Sequence, residues 1–221
     1  MAIELNKKTG INLRKGSTIS LEKKGKKLEQ VCIGLNWGVI KRIETSSFLG
    51  LFKTETVHTV AVDLDGSASM FAADGEYVDT VYYKKLTSDD GAVRHSGDDL
   101  VGDRQGNDDR DNEVIQINLA AINPRVHSVF LYVNSFKQQD FARIPYATIR
   151  LFEGTAQHLE SVIATFNVAS EPRFQGYTSM IMGKLIRTAS GAWQCLAIGE
   201  PIKAKNIAET IETIRREYIS L

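Results

Sequence analysis

The chain has 221 residues, 43% of them hydrophobic and 24% charged, and 27 Lys+Arg balance 27 Asp+Glu for a formal net charge of zero. That length suits one large β domain or two small ones with a sizeable core. No run approaches the ~18 apolar residues of a transmembrane helix, and no recognisable RNA- or DNA-binding motif is present, so neither a membrane span nor a nucleic-acid partner is expected.

Charge is unevenly placed. Residues 1–55 hold eleven Lys/Arg and five Glu, a basic strip that reads first as a solvated face. Lys7, Lys8, Arg14 and Lys15 interrupt any apolar leader. Cys32 and Cys195, the two cysteines, both lie in apolar runs and read as buried free thiols. The expected location is the cytoplasm.

Taken in order, Ile3–Leu5 and Thr18–Leu21 read as strands, with a basic turn around Gly25 between Lys23 and Lys27. Gln30–Trp37 is a strand with Val31, Ile33 and Leu35 on one face. Residues 38–55 read as an excursion between strands, with Phe48-Leu49-Gly50-Leu51-Phe52 at its tip, taken as core in preference to the alternative of an exposed contact patch. Thr56–Asp65 is the next strand, Ser67–Asp74 its hairpin partner, and Asp74-Gly75 a turn. Val78–Lys84 is a strand and Thr87–Asp90 a turn. Val114–Leu119 alternates as a strand, Ala120–Pro124 is a short turn or helix, and Val126–Phe136 is a strand with Val129, Leu131 and Val133 facing one way. Pro145–Phe152 and Leu159–Val168 are two more, and Tyr177–Thr188 with Ala192–Ile198 forms a last hairpin around Ser190-Gly191. About ten short strands with few helical stretches predict a mainly β protein, a two-sheet antiparallel β-sandwich. A C-terminal α-helix over about 206–220 completes it: Asn206 caps, Glu209 stands at N3, and Ile207, Ile211, Ile214 and Tyr218 share a face. With no repeat and no linker, residues 1–221 read as a single domain.

The stretch His95–Leu119 carries the chemistry. Asp98, Asp99, Asp103, Asp108, Asp109, Asp111 and Glu113 stand against only Arg104 and Arg110. Carboxylates about 5 Å apart repel by roughly 3 kcal/mol at an effective dielectric of about 20, so a folded loop that gathers them needs a cation or open water. Calcium takes 6–8 oxygens from carboxylates, amides, carbonyls and water, which Asp, Asn and Glu supply. The run Arg110-Asp111-Asn112-Glu113 lacks thiol and imidazole, so zinc and copper fit poorly. The loop is not an EF-hand: with Asp109, Asp111 and Glu113 at positions 1, 3 and 5, position 6 is Val114 and position 12 is Ala120. The alternative is a solvated, mobile connection. A second acidic feature is Val62-Asp63-Leu64-Asp65-Gly66. Residues two apart in a strand point to one side, so Asp63 and Asp65 present two carboxylates together; a turn at Asp65-Gly66 explains those two residues but not Asp63.

Four stretches in order resemble the TerD family, the tellurium-resistance and general-stress proteins of bacteria: Val62–Gly66; Gly97-Asp98-Asp99-Leu100-Val101-Gly102 with Asp111-Asn112-Glu113; Val129–Asn134; and Met182–Arg187 with Trp193 through Gly199. The resemblance covers residues 11–200. It implies a calcium-binding β-sandwich without enzymatic activity, whose acidic loops chelate Ca2+ at one end, and partnership with other proteins of a stress-response complex. On that pattern Asp63 and Asp65 come from the family's Asp-Leu-Asp, Asp98 and Asp99 from its Gly-Asp-Asn, and Asp111, Asn112 and Glu113 from its Asp-Asp-Glu. Asp103 and Asp109 join the expected metal set within a loop about four residues longer than the family spacing. Asn112 replaces a carboxylate, and the 38–55 excursion and the final helix look like additions.

Two rival readings carry different chemistry. One is a carboxylate hydrolase on a sandwich, with Glu113 and Asp63 as acid and base; it lacks the exposed aromatic platform of a sugar site, since Trp37 and Trp193 sit in strand patterns. The other is a scaffold whose acidic surface binds a basic partner without metal. His58, His95, His127 and His158 form no triad motif; His95, at the border of the acidic loop, reads as a surface histidine.

Overall fold

The computed structural model describes residues 11–12, 15–48, 52–167 and 172–221. The expected strand at Ile3–Leu5 and the side chains of the Phe48–Phe52 tip lie outside the described residues. The strands run β1 (Ile11–Asn12), β2 (Thr18–Ser20), β3 (Glu22–Lys23), β4 (Lys26–Lys27), β5 (Gln30–Trp37), β6 (Ile40–Phe48), β7 (Phe52–Val60) and β8 (Leu64–Phe71). They continue with β9 (Tyr77–Val81), β10 (Val93–His95), β11 (Glu113–Asn118), β12 (Ser128–Ser135), β13 (Ala147–Thr155), β14 (His158–Asn167), β15 (Ser179–Arg187) and β16 (Trp193–Ile202). The first sheet has the order β1-β14-β13-β5-β11-β10 and the second β2-β16-β15-β12-β8-β9. Pairing within them is antiparallel except at one edge, where β1 lies parallel to β14. Among the extra strands beyond the expected ten, β3, β4 and β10 have two or three residues and leave no alternation to read, whereas β6, nine residues long, lies in the stretch read as an excursion.

The core lies where the alternation points. Val31, Ile33, Leu35 and Trp37 of β5 pack in one cluster with Val129, Leu131 and Val133 of β12, Leu64 and Met70 of β8, and Met180 and Met182 of β15. The opposite face of the second sheet is also apolar, through Phe71, Phe130, Tyr132 and Ile181. It is covered by α1 (Ile207–Thr213), which runs on into a π-helical turn at Ile214–Tyr218. Ile207, Ile211, Ile214 and Tyr218 pack there, as their spacing requires. The Asn206 side chain accepts from Glu209 N at 3.0 Å. Glu209 reaches back one residue further than expected, accepting from Lys205 N at 2.9 Å. No helix among the described residues is long and apolar enough to cross a membrane.

Two sequence expectations change. The expected hairpin of Thr56–Asp65 with Ser67–Asp74 does not form. The run breaks at residues 61–63, and Leu64–Phe71 is one strand that crosses Gly66 without turning. A Cβ on Gly66 would stand 3.0 Å from Leu35 Cδ1, so this glycine serves a close approach between the two sheets and not a bend. The 38–55 stretch contributes to a two-stranded ribbon of β6 (Ile40–Phe48) and β7 (Phe52–Val60), in which, among the described residues, β6 pairs only with β7 and neither joins either main sheet. The turn at Gly75 (φ +82°) and the one at Gly191 (φ +74°) fall where expected.

Candidate metal centre

The break at 61–63 builds the site. Val62 N donates to Val101 O at 3.0 Å and Phe136 N to Asp63 O at 2.9 Å, so the chain entering β8 is held between the acidic loop and the end of β12. Asp63 and Asp65, two apart across Leu64, present carboxylates to one side. Asp98, from the loop between β10 and β11, completes a set whose ligand oxygens all lie within 4.8 Å of one another. Asp63 and Asp65 are only 2% and 3% exposed, whereas Asp98 is exposed. Burial first, then the charges of Glu113, Asp63 and Asp98, push the Asp65 carboxyl up to about 8. Burial raises that of Asp63 against the pull of Lys137, whose Nζ lies 3.4 Å from Asp63 Oδ2. Asp63 Oδ1 is buried without a hydrogen-bond partner.

Glu113 lies behind this set, 0% exposed. Its Oε2 accepts from Gly66 N at 2.8 Å and its Oε1 from Asp99 N at 3.2 Å. His95 Nε2 lies 3.3 Å from Oε2, and His95 Nδ1 accepts from Gly97 N. His95 is therefore buried against Glu113, not a surface histidine: β10, too short to be seen in the sequence, carries it inward.

The other expected ligands are placed elsewhere. Asp99 Oδ1 accepts from Val101 N and Gly102 N, both at 2.9 Å, which shapes the loop as an Asx turn. Asp103 accepts from Asn36 Nδ2 at 3.0 Å, Tyr146 OH at 2.9 Å and Asn112 Nδ2 at 3.1 Å. Asn112 Oδ1 accepts from Trp37 N, so Asp103 and Asn112 form a polar network beneath the loop. Asp111 faces the other side of the first sheet, where Arg150 Nη2 lies 2.6 Å and Nε 3.0 Å from Oδ1. Asp109 sits at φ 62°, and its carbonyl accepts from Arg150. The structure thus brings together Asp63, Asp65 and Asp98, places Glu113 and Asp99 beside them, and leaves Asp103, Asp109, Asp111 and Asn112 outside the set, with Asn112 Nδ2 donating to Asp99 Oδ2 at 3.3 Å. Lys137 was not legible as a member, because the strand pattern ends at Phe136 and nothing in the sequence ties the next residue to Asp63.

The donor set fits a hard cation. It is all oxygen, it holds an unpartnered buried carboxylate oxygen, and its local charge is unbalanced except by Lys137. Asp63, Asp65 and Asp98 are the residues that would hold it, with water completing the coordination.

Two six-stranded sheets, with carboxylates of β8 and of the β10–β11 loop gathered at one end, define a β-sandwich with an all-oxygen acidic cluster. The chain belongs to the TerD family: the TerD domain model matches residues 9–213, which includes α1 and so places that helix within the family domain. It is 31% identical over 197 residues to tellurium resistance protein TerZ of Serratia marcescens, covering 89% of this chain and 93% of TerZ. It is 29% identical to stress response protein SCP2 of Bacillus subtilis, over 86% and 92% of the two chains. The crystal structure of a homologue of telluride resistance protein (TerD) from Streptomyces coelicolor superposes with a TM-score of 0.61 at 20% identity, over 87% of this chain and 98% of that one, and so shares its fold.

Proposed function

We propose that this chain is a calcium-binding stress-response protein of the tellurium-resistance type, acting in the cytoplasm as a binding module for other proteins and not as an enzyme. The observation that carries the metal reading is the convergence of Asp63, Asp65 and Asp98, with ligand oxygens within 4.8 Å, around a buried oxygen that lacks a partner. The names of its relatives support the stress role. Against a hydrolase, Glu113 is fully buried with both carboxylate oxygens engaged, so it presents no free oxygen to a substrate. The free, buried Cys32 and Cys195, their thiols pushed up to about 12, chiefly by burial, offer no ready thiolate for redox chemistry with tellurite. One observation favours the metal-independent alternative: Lys137 already supplies a cation to Asp63.

The test is a thermal melt of metal-stripped protein with calcium, magnesium or chelator. A ligand bound only to the native state stabilises it by about 2.7 kcal/mol at a hundredfold excess over Kd. A calcium-selective rise that disappears in Asp65→Asn supports the centre. No rise at millimolar calcium leaves the acidic end as a protein-facing surface neutralised by Lys137.

A further inference from the structure

The ribbon β6–β7 serves nothing in the calcium reading. All its described side chains from 41 to 47 and from 53 to 59 are exposed, so regular β structure is held here without a buried face. An isolated two-stranded hairpin is marginal in water. Its outer edges pair with no other strand among the described residues. Ile43 and Val57 stand directly opposite each other across the ribbon, and therefore share a face, at 63% and 55% exposure. A free edge beside an exposed apolar pair is what natural sheets ordinarily avoid.

We infer that the β6 edge pairs antiparallel with β6 of a second copy of this chain, about a two-fold axis at Ile43, making a four-stranded inter-subunit sheet. The sequence of β6 is self-complementary only in that register. Centred on Ile43, Ile40–Ser46 overlaps itself, Ile43 meets Ile43 of the partner, and Arg42 stands opposite the partner's Glu44 on both sides of the axis. Centring on Arg42 or on Glu44 puts like charges face to face, which is destabilising. A two-fold axis perpendicular to the sheet keeps each residue on its own face, so Ile43 and Val57 of both copies join in one apolar cluster. The β7 edge offers less. Centred on Thr54 it opposes Lys53 to Glu55 of the partner, but over five residues and with no apolar pair at its centre; centred on Thr56 it opposes no charges of opposite sign. Within one chain Glu44 lies 3.4 Å from His58 Nε2, on the ribbon face opposite Ile43, and its side chain is 75% exposed, so it can still be reached along the β6 edge.

Sedimentation equilibrium of the full chain tests this, in chelator so that the outcome is independent of calcium. The wild type is expected to dimerise. Arg42→Glu and Glu44→Arg should each weaken the dimer about tenfold or more, because two attractive cross-strand pairs become two repulsive ones. The double variant R42E/E44R should recover it. Thermal melts at concentrations low enough that every variant is monomeric should be unchanged and show that the monomer still folds, as the exposure of these residues requires. Ile43→Cys should cross-link two copies on mild oxidation, with Cys32 and Cys195 buried and silent. A wild type that stays monomeric at the highest concentration reached overturns the inference. So does a dimer that both single charge reversals leave intact, which would place the contact elsewhere.

Discussion

Asp65 carries the electrostatic conflict of the acidic end. It is nearly fully buried, and burial first, then the charges of three other carboxylates, push its pKa up to about 8. Unfolded, the same carboxyl titrates at about 3.9. Between those values the folded chain keeps a proton that the unfolded chain has released, so stability falls as pH rises. The contribution is fully present below about pH 4 and is lost as pH climbs through about 8. Melting of the metal-free protein should therefore decline from pH 5.5 to 8.5, and Asp65→Asn, which cannot ionise, should flatten much of that decline. Some slope should remain from Asp63 and Glu113, both also raised by burial. On the proposed function, calcium would take the ionised carboxylate, so its stabilising shift should grow over the same window in the wild type. A decline of equal steepness in Asp65→Asn would show that Asp65 is not the group under strain.

At the scale of elements, the first sheet contains its own test. Asp111, at the entry to β11, lies over Gly34 of β5, where a Cβ would collide with its carboxylate. Its side chain is 7% exposed, and Arg150 of β13 supplies its counter-charge. Removing one partner of a buried pair leaves an uncompensated charge, at a typical cost of about 3–5 kcal/mol, and replacing both partners costs far less. Arg150→Met should accordingly lower the urea unfolding free energy by about 3 kcal/mol, and Arg150→Met with Asp111→Asn should recover most of it; additive losses would mean that the pair is not coupled. The same pair shows where sequence reading stops. Alternation in β5 and β12 placed their core faces correctly, because burial and period 2 act within one strand. The i, i+2 spacing of Asp63 and Asp65 was legible for the same reason. That Asp111 turns to Arg150, and not to Asp63, depends on which strand lies beyond β5 from β11, and that strand, β13, is about forty residues away in the chain. The break at 61–63 was hidden because Thr56–Asp65 stays apolar while the chain passes from the ribbon to the second sheet.

For the whole molecule, the decisive property is that the candidate ligands come from different sheets. Asp65 belongs to β8 of the second sheet, and Asp98 to the loop that joins β10 to β11 of the first. That end is already tied by Gly66 N donating to Glu113 Oε2 at 2.8 Å and by Trp37 Nε1 donating to Val62 O at 2.9 Å. The far end, where β5 pairs Gln30 with Asn118, has its own tie from Trp193 Nε1 to Leu119 O at 3.2 Å. A cation held between Asp65 and Asp98 would therefore act as a clamp between sheets, and not as a local brace of one loop. Native-state hydrogen exchange distinguishes the two, because partial openings are read amide by amide. Calcium should slow exchange both at the start of β8, around Asp65–Ser67, and in residues 96–103, while amides near Leu119 and Trp193 that exchange through local opening stay unchanged. Protection confined to residues 96–103 would mean that the loop binds alone and β8 is a bystander. Joint protection of β8 and the loop would show that calcium occupancy is read by the packing of the two sheets, and through β8 by its neighbour β12, whose outward Phe130 and Tyr132 pack beneath the C-terminal helix.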